Sequence, residues 1–138
     1  MSRSGYDDYC DGWDLVRWRG AVKSALRGKR GQAFLRELVA ALDAIESHEL
    51  ISSELEQNGQ VCALGSVGVR RGLDMAGIDP YDRREVARAF GIAEAMAAEV
   101  MHENDEARRV KTPRQRWEHM RSWAIAHLRA RREAEGQG

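Results

Sequence analysis

Apolar residues recur along this chain at the three- and four-residue spacing of amphipathic helices, interrupted by glycine, proline and capping residues. The pattern predicts a mainly α protein. Residues 1–12 show no period and read as an irregular N-terminal arm. The first helix is predicted from Trp13 to Arg27, with Leu15, Trp18, Val22, Ala25 and Leu26 as its apolar stripe. Gly28-Lys29-Arg30-Gly31 then breaks the periodicity, and a second helix is expected to start near Gln32 with Phe34 or Leu35, Leu38, Leu42 and Ile45 as its buried side. So short a link implies an antiparallel or sharply angled helix pair.

Further along, Asn58-Gly59 between two short runs predicts a β-hairpin within residues 50–64, because both central positions of a type I′ turn require positive φ. Residues 62–71 could extend its second strand or form a helix, and the glycines Gly65 and Gly68 favour a closely packed helix. Asp82 followed by Glu85 marks a helix start, with Val86, Ala89 and Phe90 inward. Gly91 interrupts, and Ile92 to about Asn104 reads as another helix burying Ile92, Met96 and Val100. Thr112-Pro113 with Gln115 is the clearest start, opening a helix with Trp117, Met120, Ala124 and Leu128 on its stripe that frays after Arg132. The expected architecture is about five helices with a small hairpin near residues 50–64. They form one compact domain over residues 13–132, followed by a flexible tail over 133–138.

Composition adds little to this picture. At 138 residues, 43% hydrophobic and 32% charged, the chain is sized for a single globular domain. No apolar run is long enough to span a bilayer, and the first twenty residues lack the pattern of a secretory signal, so a cytoplasmic protein without membrane association is expected. Cys10 and Cys62 do not make a disulfide framework. Cys62, within Val61-Cys62-Ala63-Leu64, is expected to be a small buried hydrophobe with no base near it in sequence.

Charge changes the picture more. The formal net charge is zero, but it is distributed in blocks: residues 15–36 carry +7, residues 37–107 carry −10 and residues 108–132 carry +8. Arg19, Lys23 and Arg27 stand at successive i,i+4 positions, where like charges repel, and Lys29 and Arg30 extend the row. Such a row needs an anionic neighbour. Either the blocks neutralise one another inside the fold, which the zero sum favours, or a basic face is exposed to a partner. The acidic residues Glu99, Glu103 and Glu106 form a second candidate partner face. Glu103, Asp105 and Glu106 crowd a helix C-terminus, where the macrodipole disfavours acids, which suggests pairing with a base such as the Arg108-Arg109 that follows.

Trp13, Trp18, Trp117 and Trp123 all lie in or beside the two basic helices. Trp18 and Trp117 sit on the apolar stripes, whereas Trp13 and Trp123 fall more than about 100° off them and are candidate partner-facing aromatics. Gly28-Lys29-Arg30-Gly31 has the form of the G-x-x-G backbone clamp of KH modules, but no strand leads into the first helix, and a basic interhelical turn with glycine as the C-cap is the favoured reading. Glu99 with His102 is the sole Glu-x-x-His pair, short of what a di-metal bundle requires, so no metal is expected. No phosphate-binding loop, dinucleotide fingerprint or nucleophile elbow occurs, and neither an enzyme activity nor a cofactor is expected.

The strings Arg30-Gly31-Gln32-Ala33-Phe34-Leu35-Arg36-Glu37, Val61-Cys62-Ala63-Leu64-Gly65, Arg71-Gly72-Leu73-Asp74-Met75, Phe90-Gly91-Ile92-Ala93 and Asn104-Asp105-Glu106 resemble, in this order, a group of small uncharacterised proteins of bacteriophages and prophages of proteobacteria. So does the opening Met1-Ser2-Arg3-Ser4-Gly5-Tyr6. The resemblance implies an accessory product acting in the bacterial host cytoplasm. By analogy, such a protein binds a host or defence complex, as an inhibitor of a system such as CRISPR–Cas would. The alternatives are nucleic-acid binding through the basic helices, an enzyme without a visible signature, and self-association through Trp13 or Trp123.

Overall fold

The computed structural model describes residues 2–6 and 12–128, and the side chains from residue 15 onward within the first helix. Six helices and one hairpin follow in order: α1 (Gly12–Arg27), α2 (Lys29–Asp43), β1 (Glu56–Gln57), β2 (Gln60–Val61), α3 (Ala63–Arg71), α4 (Arg83–Phe90), α5 (Glu94–Glu106) and α6 (Pro113–His127). The core lies among α2, α3, α5 and α6, with α1 laid across α5 and α2 and α4 packed on α5. α5 is the central element. Every residue from Ala95 to Met101 is buried, because four helices surround it and leave no solvent face.

Local chemistry explains the boundaries. The Thr112 hydroxyl accepts from the Gln115 amide at 3.1 Å while the Gln115 side chain accepts from the Thr112 amide at 3.2 Å, which completes the capping box read in the sequence. Asp82 caps α4 by accepting from the amides of Arg84 and Glu85. Residues 63–71 are helical, with Cys62 as the N-cap and Gly72 in the left-handed region at the other end. The hairpin turns at Asn58 (φ 54°) and Gly59 (φ 80°), as the dipeptide predicts, with Glu56 opposite Val61 and Gln57 opposite Gln60. Its strands are only two residues long; beyond them the Cys62 amide still donates to the Leu55 carbonyl at 3.2 Å, and both side chains enter the core.

Two expectations change. A single residue, Gly28, separates α1 from α2, so Lys29, Arg30 and Gly31 belong to the first turn of α2 and the G-x-x-G string is no loop. Gly31 is there for proximity: an added Cβ would overlap the Ala25 carbonyl oxygen where the helices cross. Leu15, assigned to the apolar stripe, is 47% exposed, whereas Val22 and Leu26 on the same stripe are buried. Among the described side chains of α1, contact with the core begins at Trp18. The tail over residues 133–138 and Cys10 lie outside the described residues.

Candidate functional site

The acidic candidates face inward. Glu99 is 4% exposed, and its carboxylate accepts from Nη1 of Arg19 at 2.9 and 3.0 Å and from the Tyr6 hydroxyl at 3.0 Å. Glu103 meets His119 of α6 at 2.8 Å. Glu106 accepts from the Ser4 hydroxyl at 2.6 Å and lies 3.3 Å from His102 Nδ1 without hydrogen-bond alignment. The base that answers this crowded helix end is Arg3, which comes from the aperiodic N-terminal arm. Arg108 and Arg109 are exposed instead. The Arg3 guanidinium, 2% exposed, grips Asp105 with Nε at 2.6 Å from Oδ2 and Nη2 at 2.7 Å from Oδ1. Burial opposes both charges. The pairing overcomes it, holding the Asp105 carboxyl below the usual carboxylate range, while the Cys62 sulfur together with Asp105 raises the Arg3 pKa above that of a free arginine.

Asn104 is the hub that sequence reading passes over. Its side chain, 1% exposed, accepts from the Ala63 amide at 3.0 Å and donates to the Ile51 carbonyl at 3.0 Å and to Asp105 at 2.8 Å. Arg116 of α6 donates to the carbonyls of Asn104 and Leu50, so this base is used for backbone carbonyls rather than for an acid.

The tryptophans are structural where their side chains are described. Trp123 is 9% exposed and packs in the core, which corrects the expectation of a surface aromatic: α6 is covered on that side by neighbouring helices. Trp117 donates to the Leu42 carbonyl at 2.8 Å and stacks on His48 at 4.0 Å. Trp18 lies between the Tyr6 ring and the Arg83 guanidinium. The Trp13 side chain is outside the described residues.

The basic face remains. Arg19 turns to Glu99, but Arg17, Lys23, Arg27, Lys29 and Arg30 are exposed and make no ion pair among the described residues. Val16, Gly20, Lys23 and Arg27, at i, i+4, i+7 and i+11, form one outward row on α1, and Val16 is 65% exposed. The space beyond Gly20 is open. The row ends at a cavity of about 200 Å³ lined by Ser24 of α1, the linking Gly28, Lys29 and Arg30 of α2, and by Ile92 and Met96 opposite. Lys29 and Arg30 occupy the first turn of α2 and add to the positive end of its dipole instead of opposing it, whereas Asp43 at the other end is answered by Arg121 at 2.7 Å. This arrangement costs the isolated fold a few tenths of a kcal/mol per charge.

Among the described residues no group of three or more histidine, cysteine or acidic side chains could hold a metal ion, and no helix is long and apolar enough to cross a membrane. No family model, curated protein or solved structure matches the chain.

Proposed function

We propose that this protein is a non-catalytic binding module that engages an acidic protein partner through the outer row of α1 and the adjoining cavity. The carrying observation is that the fold draws its α5 acids inward, while the bases of α1 other than Arg19, and those at the start of α2, stand exposed and without ion pairs among the described residues. A protein surface is favoured over a nucleic acid by the apolar content of the same face. Leu15 and Val16 lie at one end of it, Ile92 and Met96 line the cavity at the other, and neither Trp117 nor Trp123 presents an exposed ring for base stacking. The setting, a phage or prophage product that binds a host or defence complex in the bacterial cytoplasm, comes from the sequence resemblance.

Pull-down of the tagged protein from a lysogenic or infected proteobacterial host tests the reading. The wild type is expected to retain a discrete acidic protein after nuclease treatment, and the triple variant Lys23→Glu/Arg27→Glu/Arg30→Glu to lose it by about 100-fold or more, as for loss of several interfacial charge pairs. Equal capture by the variant refutes the assignment, and retention that nuclease abolishes indicates a nucleic-acid binder instead.

Gly20 separates folding from binding on this face. Glycine in an exposed helix interior costs about 0.5–1 kcal/mol relative to alanine, and nothing in the fold requires it here. Gly20→Ala is expected to stabilise the protein by about that amount in urea denaturation. Gly20→Leu is expected to fold equally well yet weaken partner capture about ten-fold by blocking close approach. Undiminished capture by Gly20→Leu would remove the glycine from the interface.

A further inference from the structure

The N-terminal segment is held as a ligand is held. Its contacts run residue by residue: Arg3 to Asp105, the Ser4 hydroxyl to Glu106, the Ser4 carbonyl to Nη1 of Arg83 at 2.8 Å, and the Tyr6 hydroxyl to Glu99. Gly5 between them has φ +72°, and an added Cβ would stand 3.2 Å from the Arg83 guanidinium, so a side chain is disfavoured there by both conformation and space. Four consecutive residues are thus each read by a different group of the folded domain. The Arg3 guanidinium also reaches Cys62, with Nη1 3.7 Å from the sulfur.

Two features distinguish this from ordinary packing. No residue of the segment 2–6 belongs to the apolar core: it is held by polar contacts, with Tyr6 packed on the rings of Trp18 and His102. A buried ion pair contributes little net stability once desolvation is counted. The domain itself also holds the socket's carboxylate: Asp105 Oδ1 accepts from the Ser53 amide at 3.1 Å and from the Asn104 side chain at 2.8 Å.

We propose that the socket formed by Asp105, Glu106, Glu99, Arg83 and Cys62 is a binding site for an arginine-bearing peptide segment of the form Arg-Ser-Gly-aromatic. In this chain it is filled in cis by residues 3–6 and opens to the same motif on a partner protein. The recognition is short-motif recognition by charge and hydrogen bonding, with the cis segment competing through its high effective concentration. It is independent of the basic face of α1.

The test uses the full chain with substitutions confined to the occupant. Arg3→Ala removes the gripping group, and Ser4→Glu sets a carboxylate against Glu106; both leave the socket intact. The probe is a fluorescent peptide Ser-Arg-Ser-Gly-Tyr, followed by anisotropy. Both variants are expected to keep their helical circular dichroism and bind the peptide saturably, about ten-fold or more tighter than the wild type does. They are expected to prefer it by a similar factor over a peptide with alanine in place of arginine. Asp105→Asn added to Arg3→Ala is expected to abolish binding. Absence of saturable binding in both folded variants, equal binding of the alanine peptide, or loss of helical structure in both variants overturns the proposal; the last would make the segment part of the fold.

Discussion

Gly31→Ala is expected to destabilise the protein by about 3 kcal/mol or more, although it adds one methyl group. The added Cβ would overlap the Ala25 carbonyl oxygen and stand 2.9 Å from the Ala25 carbonyl carbon and 3.2 Å from the Leu26 oxygen. All three are backbone atoms of α1, so no rotamer change relieves the clash. The last turn of α1 must lift from α2, and Val22 and Leu26, both buried, lose part of their packing. Each contributes about 1.5–3 kcal/mol when fully buried. Urea denaturation measures the loss, and in a thermal scan it amounts to a midpoint about 10 °C lower. An unchanged midpoint would mean that the crossing is looser than described. The contrast with Gly20→Ala, eleven residues earlier and expected to stabilise, is the sharper result: one glycine serves the crossing and the other leaves backbone bare on an exposed face.

Asn104→Ala is expected to cost about 2–5 kcal/mol, since it orphans the Ala63 amide and the Ile51 carbonyl at about 1–3 kcal/mol each. These groups belong to the start of α3 and to the segment before the hairpin, so one side chain joins three parts of the chain. Asn104→Asp is expected to do no better despite its near-identical shape. It keeps the acceptor for Ala63 but loses the donor to Ile51 and sets a second carboxylate beside Asp105. Equilibrium denaturation of both variants decides this, and wild-type stability in either would remove Asn104 from its place as hub.

The helices were legible in the sequence wherever capping and periodicity agree. Thr112-Pro113-Arg114-Gln115 and Asp82 mark starts that side-chain oxygens confirm, and Asn58-Gly59 marks the hairpin turn. The boundary between α1 and α2 was misplaced because glycine carries two meanings: Gly28 ends a helix, whereas Gly31 lies inside one for closeness. Leu15 and Trp123 were misassigned because periodicity reports which face a residue occupies and not whether another element covers that face. The cluster Glu103, Asp105 and Glu106 marked a conflict with the helix dipole at the end of α5. Its solution came from Arg3, a hundred residues away in a segment with no pattern, and long-range polar pairing leaves no local trace. One signal was available: Arg3 is the sole base of an otherwise acidic arm.

The zero net charge therefore conceals a sorting. Acids of α5 are met inside the molecule by Arg3, Arg19 and His119, and the other bases of α1 and those at the α2 start remain outside. That the outer face of α1 is the partner surface is tested most directly by amide hydrogen exchange of the protein alone and in complex with its captured partner. Slowed exchange is expected over residues 16–30 and around 92–96, with the acidic loop over residues 46–56 unchanged. Slowing confined to that loop or to α6, with α1 unaffected, would contradict the account.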